Sequence, residues 1–281
     1  MFRCDLVVQM GIDAMKVSHL ELDYIREKTR VTRMVSRVPL RLLETGQHQH
    51  AVEIQLSSYG GGILQGDRVA LNIRCGDRTG LRLKSQANTH VYRNDIQQEA
   101  IQRLSADCGE RTVIEVIPEP VVLHAGADFR QEQAWNISES TDFVLADWMQ
   151  SGRSESNEQF AFKRFESRVL IALDDQPVLE ENFICRPEMD DIRSPALFGP
   201  YDLMLNIYML GPHAEERCRK LKPFLDFPQF HSDVLPRKGG FRLPSVLCAL
   251  NPLPNARGYI FRAMAETRRQ LQPVVNMLTQ T

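Results

Sequence analysis

Between about Val17 and Glu181 apolar side chains recur in short runs that alternate with polar ones or crowd branched residues together. The clearest are Val31–Val38, Ala51–Leu56, Val69–Cys75, Gly80–Lys84, Thr112–Ile117, Pro120–His124, Phe143–Trp148 and Ser167–Leu173. A period of two puts the apolar set on one face of a strand. Turn-forming stretches separate the runs: Gly60–Gly62, Cys75–Gly80, Asp107–Glu110 and Asp174–Pro177. Many short strands with no helical period between them predict packed sheets or a stack of strands like a β-helix. No fixed-period repeat marks a regular solenoid.

After about Arg193 the pattern changes. Tyr201–Leu210 reads as an apolar strand. His213–Phe227 then spaces Ala214, Cys218, Leu221 and Leu225 as one helical face, with Pro223 expected to stop the helix just before it. Ser245–Leu250 and Arg257–Met264 read as two further strands. Ala265–Leu278 reads as a closing helix that Pro273 kinks or restarts, and Phe227–Lys238 as a loop. The expected fold is therefore mainly β, a stacked-sheet or β-helix-like region with a small C-terminal α+β part containing two helices. The expected divisions are an N-terminal extension over 1–16, the β-rich region over 17–192, and the α+β region over 193–281, packed into the same domain.

Composition narrows the function. A chain of 281 residues with 43% hydrophobic and 25% charged residues has the balance of a soluble globular protein. A net charge of -2 gives no general affinity for nucleic acid or an anionic membrane. No apolar run is long enough to span a bilayer. The first residues lack the basic start and apolar centre of a secretory signal, so a cytoplasmic protein is expected. The six cysteines are scattered without a C-x-x-C pair, which favours reduced, mostly buried thiols.

The run Gly60-Gly61-Gly62-Ile63-Leu64-Gln65-Gly66-Asp67 invites a nucleotide reading. A phosphate-binding loop would continue with Lys and a hydroxyl residue; here Asp67 brings a charge of the wrong sign. Gln65 occupies the place of the third glycine in a dinucleotide fingerprint. The glycines are read instead as a sharp strand connection that needs positive φ or close backbone approach. Neither H-E-x-x-H nor G-x-S-x-G occurs.

His48 and His50 would share one face of an extended segment, and imidazole suits nickel, zinc or copper. Their neighbours Gln47 and Gln49 favour a solvated loop. Asp67, Asp147 and Glu181 are isolated acids beside apolar strand sequence. A buried carboxylate in a wet passage would hold a dication weakly, while a structural pair with Arg153 or Arg168 is the alternative.

The run Gly60 to Asp67, followed by an alternating strand and then Ser85-Gln86-Ala87-Asn88-Thr89-His90-Val91-Tyr92-Arg93, resembles the urease accessory protein family UreD, also called UreH. Here His90 stands where the family commonly has lysine. Further blocks follow in family order. They are Lys28-Thr29-Arg30 with Val38-Pro39-Leu40, Ile117-Pro118-Glu119-Pro120 with Ala125-Gly126-Ala127, and Asp147 to Arg153 with Glu158-Gln159-Phe160. Gly61, Gly62, Gly66, Gln86, Tyr92, Arg93, Gly152, Arg153 and Glu158 are the motif residues. The C-terminal region matches only in its order of strands and helices.

The resemblance implies a mostly β protein with no catalysis of its own. It implies partners: apo-urease, a UreF-like accessory protein and, through it, the GTPase UreG. It implies nickel in transit through an internal passage and no tightly bound cofactor. Carried over by position, the passage residues are Asp67, Thr89, Asp147 and Glu181, with Glu180 an equal candidate to Glu181. Two competing readings stand beside it: a carbohydrate-active enzyme using Asp147 and Glu158 as paired carboxylates, and a plain interaction module.

Overall fold

The structure is a computed structural model that describes residues 16–64, 66–93, 98–226 and 246–278. All but the last residue of the expected extension over 1–16, and the expected loop over 227–238, lie outside the described residues.

The chain enters through two hairpins, β1 (Val17–Ile25) with β2 (Lys28–Val35) and β3 (Leu40–His48) with β4 (Ala51–Ser58). It then winds through β5 (Arg68–Cys75), β6 (Gly80–Ser85), β7 (Thr89–Val91), β8 (Ala100–Cys108), β9 (Val113–Val116), β10 (Val121–Leu123), β11 (Asp128–Ile137) and β12 (Asp142–Gln150). The hairpin of β13 (Arg164–Leu173) and β14 (Gln176–Cys185) follows. Last come β15 (Leu203–Leu210), α1 (Ala214–Asp226), β16 (Val246–Pro252), β17 (Gly258–Ala265) and α2 (Arg268–Leu278).

The winding builds two sheets and a short third face. Seven strands form one sheet in the order β14-β13-β11-β8-β5-β1-β2. The other follows β16-β17-β15-β12-β9-β6-β4-β3. On the third face β10 lies parallel between β7 and the end of β12, and Ile63 bridges to Val91. Successive coils stack in parallel: β5 on β8, β8 on β11, β11 on β13, and likewise β6 on β9 and β9 on β12. This is the predicted β-helix-like stack. Neighbours in adjacent coils are 33, 29 and 36 residues apart in turn, as in Asn72–Ser105, Arg103–Glu132 and Asp128–Arg164. Unequal coils explain why no fixed repeat shows in the sequence.

Burial follows from what covers each face. β12 is buried at all but its last residue, because α1 and α2 cover the outer side of its sheet. Between the two sheets lies a core that includes Leu20, Ile54, Leu81, Leu104, Trp135, Phe143 and Tyr208. A second core joins the helices to the outer side of β12, β15 and β17. A third sits under the short face around Val91, Leu123, Phe129, Phe162 and Phe165. β13 alternates between half-buried and buried residues, since its outer side meets water. The sequence pattern does not single out β1, β3, β7, β8, β11 and β14.

Two helix boundaries differ from expectation. α1 runs past Pro223 to Asp226. Proline removes one backbone bond, but Pro223 is exposed in the last turns, while Ala214, Cys218 and Leu221 anchor the helix. The closing helix starts at Arg268 and not at Ala265, which ends β17. Thr267 caps it: the Thr267 backbone N–H and hydroxyl both donate to Gln270 Oε1, at 2.7 and 3.0 Å. No helix among the described residues is long and apolar enough to cross a membrane.

A candidate cation passage and its glycine-rich rim

The motif blocks separated along the chain meet at the third face. The Gly60–Asp67 turn lies beside β7: Ile63 N–H donates to His90 O at 2.8 Å, and Tyr92 N–H donates to Ile63 O at 2.9 Å. Gly60, Gly61 and Gly66 have φ of +86°, +77° and +78°. At Gly62 it is space that is short, because a Cβ would sit 2.5 Å from both His90 O and a Tyr92 ring carbon. The Tyr92 hydroxyl donates to Gly61 O at 3.3 Å. Arg93 lies over Gly126, and Gly152 lies against the Glu158 backbone.

Beside this rim Arg153 and Glu158 pair through two hydrogen bonds. The Arg153 guanidinium holds the Glu158 carboxyl below its ordinary range. His90 Nδ1 and His124 Nε2 are 2.9 Å apart, so one of them carries the hydrogen between them. Burial and the nearby Arg153 charge push both imidazoles below their usual value, which favours their neutral forms. His124 had no motif to mark it; only the fold brings it to His90.

Beneath the rim, between the inter-sheet core and the core under the third face, runs a cavity of about 220 Å³. Pro39, Leu40 and Ser57 line one part of it, and Gln131, Gln133 and Asp147 another. Leu56, Leu71, Leu83, Leu104 and Val116 supply apolar wall; Ser85, Gln86, Asn88, Thr89, Gln102 and Glu119 supply oxygen and nitrogen atoms.

Of the four passage residues expected from sequence, Thr89 and Asp147 line this cavity together. Asp67 and Glu181 do not line it. Asp67 Oδ2 accepts the Leu64 N–H at 2.8 Å and so holds the glycine turn closed. Glu181, on β14, accepts the Tyr208 hydroxyl at 2.5 Å and pairs with Arg262. Glu180 pairs with Arg168 at 2.6 Å near the surface. Gln86 accepts the Ser57 hydroxyl at 2.7 Å. His48 ends β3 and Gln49 turns with φ +53°, so His48 and His50 straddle a hairpin turn and do not share a strand face. Among the described residues no group of three His, Cys, Asp or Glu side chains is gathered to hold a metal ion. Asp147 and Glu158 are each engaged by other partners, and Glu158 does not line the cavity.

Asp147 is the buried acid of the cavity. Its Oδ1 accepts Gln131 Nε2–H at 2.7 Å and its Oδ2 accepts the Ser167 hydroxyl at 2.9 Å. Burial raises its pKa, and the two hydrogen bonds recover part of that rise. The sign follows directly. A carboxyl with a raised folded-state pKa binds its proton more tightly in the fold than in the unfolded chain. Its contribution favours the fold at low pH and is lost as pH climbs through the folded value. Asp147→Asn, which keeps shape and both neighbours, is therefore expected to leave stability at pH 7 equal or higher. It is also expected to flatten the fall in melting temperature between pH 4 and pH 8 relative to the parent chain, measured by circular dichroism. A steeper fall in the variant would contradict the assignment.

A coil of stacked strands enclosing a partly polar cavity, with a glycine-built rim, defines a β-coil protein with an internal passage-like space. The sequence profile of the UreD urease accessory protein family matches residues 16–281, and the chain belongs to that family. Among its relatives is the urease accessory protein UreD of Cytophaga hutchinsonii, 27% identical over 94% of this chain and 92% of that protein. The UreD of Sorangium cellulosum is 30% identical over 76% of this chain and 68% of its own length. The urease accessory protein D of Oryza sativa subsp. indica is 27% identical over 72% and 67%.

Proposed function

We propose that this chain is a non-catalytic scaffold of urease maturation in the cytoplasm, and that its cavity passes nickel as a divalent cation toward apo-urease. On this reading it docks on apo-urease and on a UreF-like protein that brings the GTPase UreG. The observation that carries the reading is the partly open cavity reaching from the Pro39–Ser58 side to Asp147, in a chain of the urease accessory family. Oxygen donors suit transit: they attract a dication without the tight hold of several imidazoles or thiolates. Thr89 and Asp147 serve as lining, Asp67 holds the rim turn, and Glu181 positions Tyr208.

The cavity's open side has the character of a docking face. Pro39, Leu40, Ser58 and Ile63 line it, and their chain neighbours Val38, Tyr59 and Leu64 are 70%, 53% and 54% exposed. Large apolar side chains left in water around an opening favour a protein partner seated there.

The test is the nickel content of urease purified from cells carrying Asp147→Asn. Nickel per active site is expected to drop several-fold while the variant still co-purifies with urease. Normal nickel would overturn the conduit and leave the scaffold.

A further inference from the structure

Arg268 is in the wrong place for its helix. It is the first residue of α2, where the helix dipole disfavours a positive charge by about 0.3–1 kcal/mol. The first turn of α2 holds no acid to offset it. The compensation comes from the cavity wall. Arg268 donates to Asn88 Oδ1 at 3.0 Å, forms an ion pair with the Glu119 carboxylate, and lies 5.5 Å from the centre of the Trp148 ring. Asn88, Glu119 and Trp148 all line the cavity. A carboxylate, an amide oxygen and an aromatic face are three groups that favour a cation, and they converge on one.

We propose that Asn88 and Glu119 form a second cation site in the wall of the cavity, and that Arg268 occupies it as a built-in substitute for a hydrated divalent cation. While the guanidinium is seated, its charge repels a dication and its nitrogens use the oxygens that would bind one. When the first turn of α2 moves away, Glu119 and Asn88 become free oxygen ligands facing the cavity. The site is weak by construction, with one carboxylate and one amide oxygen, and the remaining ligands would be water. Such a site can take a cation up and release it. The inference adds a latch to the nickel passage proposed above and rests on that reading for its biological purpose, though not for its chemistry.

The purified full-length chain and its Arg268→Gln variant are compared by equilibrium dialysis against nickel chloride. Arg268 is 37% exposed, and removing it takes a cation off a helix N-terminus, so the fold is expected to survive. Arg268→Met, which keeps an unbranched side chain but removes the guanidinium from Trp148, is the second variant. Both are expected to bind nickel about tenfold tighter than the parent, and adding Glu119→Gln to either is expected to abolish the gain. Unchanged affinity in both variants overturns the proposal, as does a gain that survives Glu119→Gln. Combined with the urease nickel measurement the two ideas separate. Normal urease nickel in Asp147→Asn cells with a Glu119-dependent gain in Arg268→Gln removes the passage and keeps the wall site. The opposite pair of results removes the wall site alone.

Discussion

Replacing Arg217 by Ala is expected to cost about 3–5 kcal/mol, read as a lower urea midpoint with an unchanged slope. Arg217 on α1 meets Asp142 at the start of β12 through two hydrogen bonds of 2.5 and 2.7 Å. Both residues are buried, at 4% and 6% exposure. The cost arises because, among the described residues, Asp142 would remain buried with only exposed His213, 3.4 Å away, as a cationic partner. That is a large share of the roughly 5–15 kcal/mol that holds a domain together. The double variant Arg217→Met with Asp142→Leu removes both charges and is expected to recover most of the loss, since an apolar pair of similar volume is often neutral or better. A single-variant loss under about 1 kcal/mol would show that water reaches the pair.

Trp135→Ala is expected to cost about 3–5 kcal/mol by the same measurement. Trp135 sits on β11 at 1% exposure, between the sheets, with its ring 5.3 Å from that of Phe143. Truncation opens a void that strands hydrogen-bonded on both sides cannot close. Trp135→Phe separates volume from polarity. Among the described residues the indole N–H has no acceptor, so its removal forfeits no hydrogen bond to them, and the loss should stay under about 1.5 kcal/mol. A Phe variant as damaged as the Ala variant would place the energy in the exact fit of the indole and not in filled space.

What could be read from the sequence depended on which faces of a strand are covered. Phe143–Trp148 and Tyr201–Leu210 stood out because helices close the outer side of their sheet, leaving almost unbroken apolar runs. β8, β11 and β14 belong to the sheet whose outer side is wet. Ion pairs between coils, such as Arg103–Glu132 and Arg164–Asp128, fill that side and dilute the alternation. These charged residues pair with neighbours in another coil, which a local window does not contain.

The candidate site divides in the same way. The glycine turn, the Ser-Gln…Tyr-Arg run and the Gly-Arg…Glu block were each visible in the sequence. That Gly62 meets Tyr92, that Gly152 meets Glu158, and that His124 meets His90 depends on coil stacking. Pro223 reads as a breaker in a local window, whereas the packing of Ala214 and Leu221 holds α1 in place around it. Arg268 carried no signal at all, since its partners Asn88 and Glu119 lie far away in the chain.

A stack of parallel coils has no inherent length: each finished layer is a template for the next, and an identical molecule could in principle serve as that layer. This chain finishes its rows with reversed strands. β2 and β14 run antiparallel at the two borders of one sheet, and β3 and β16 at those of the other. The outermost strands carry Lys28, Arg30 and Arg33 on β2, and Pro177 on β14 and Pro252 on β16. Charge and missing N–H groups make these borders poor seeds for fibre growth, so the same architecture that gives the molecule its interior also keeps it a discrete particle.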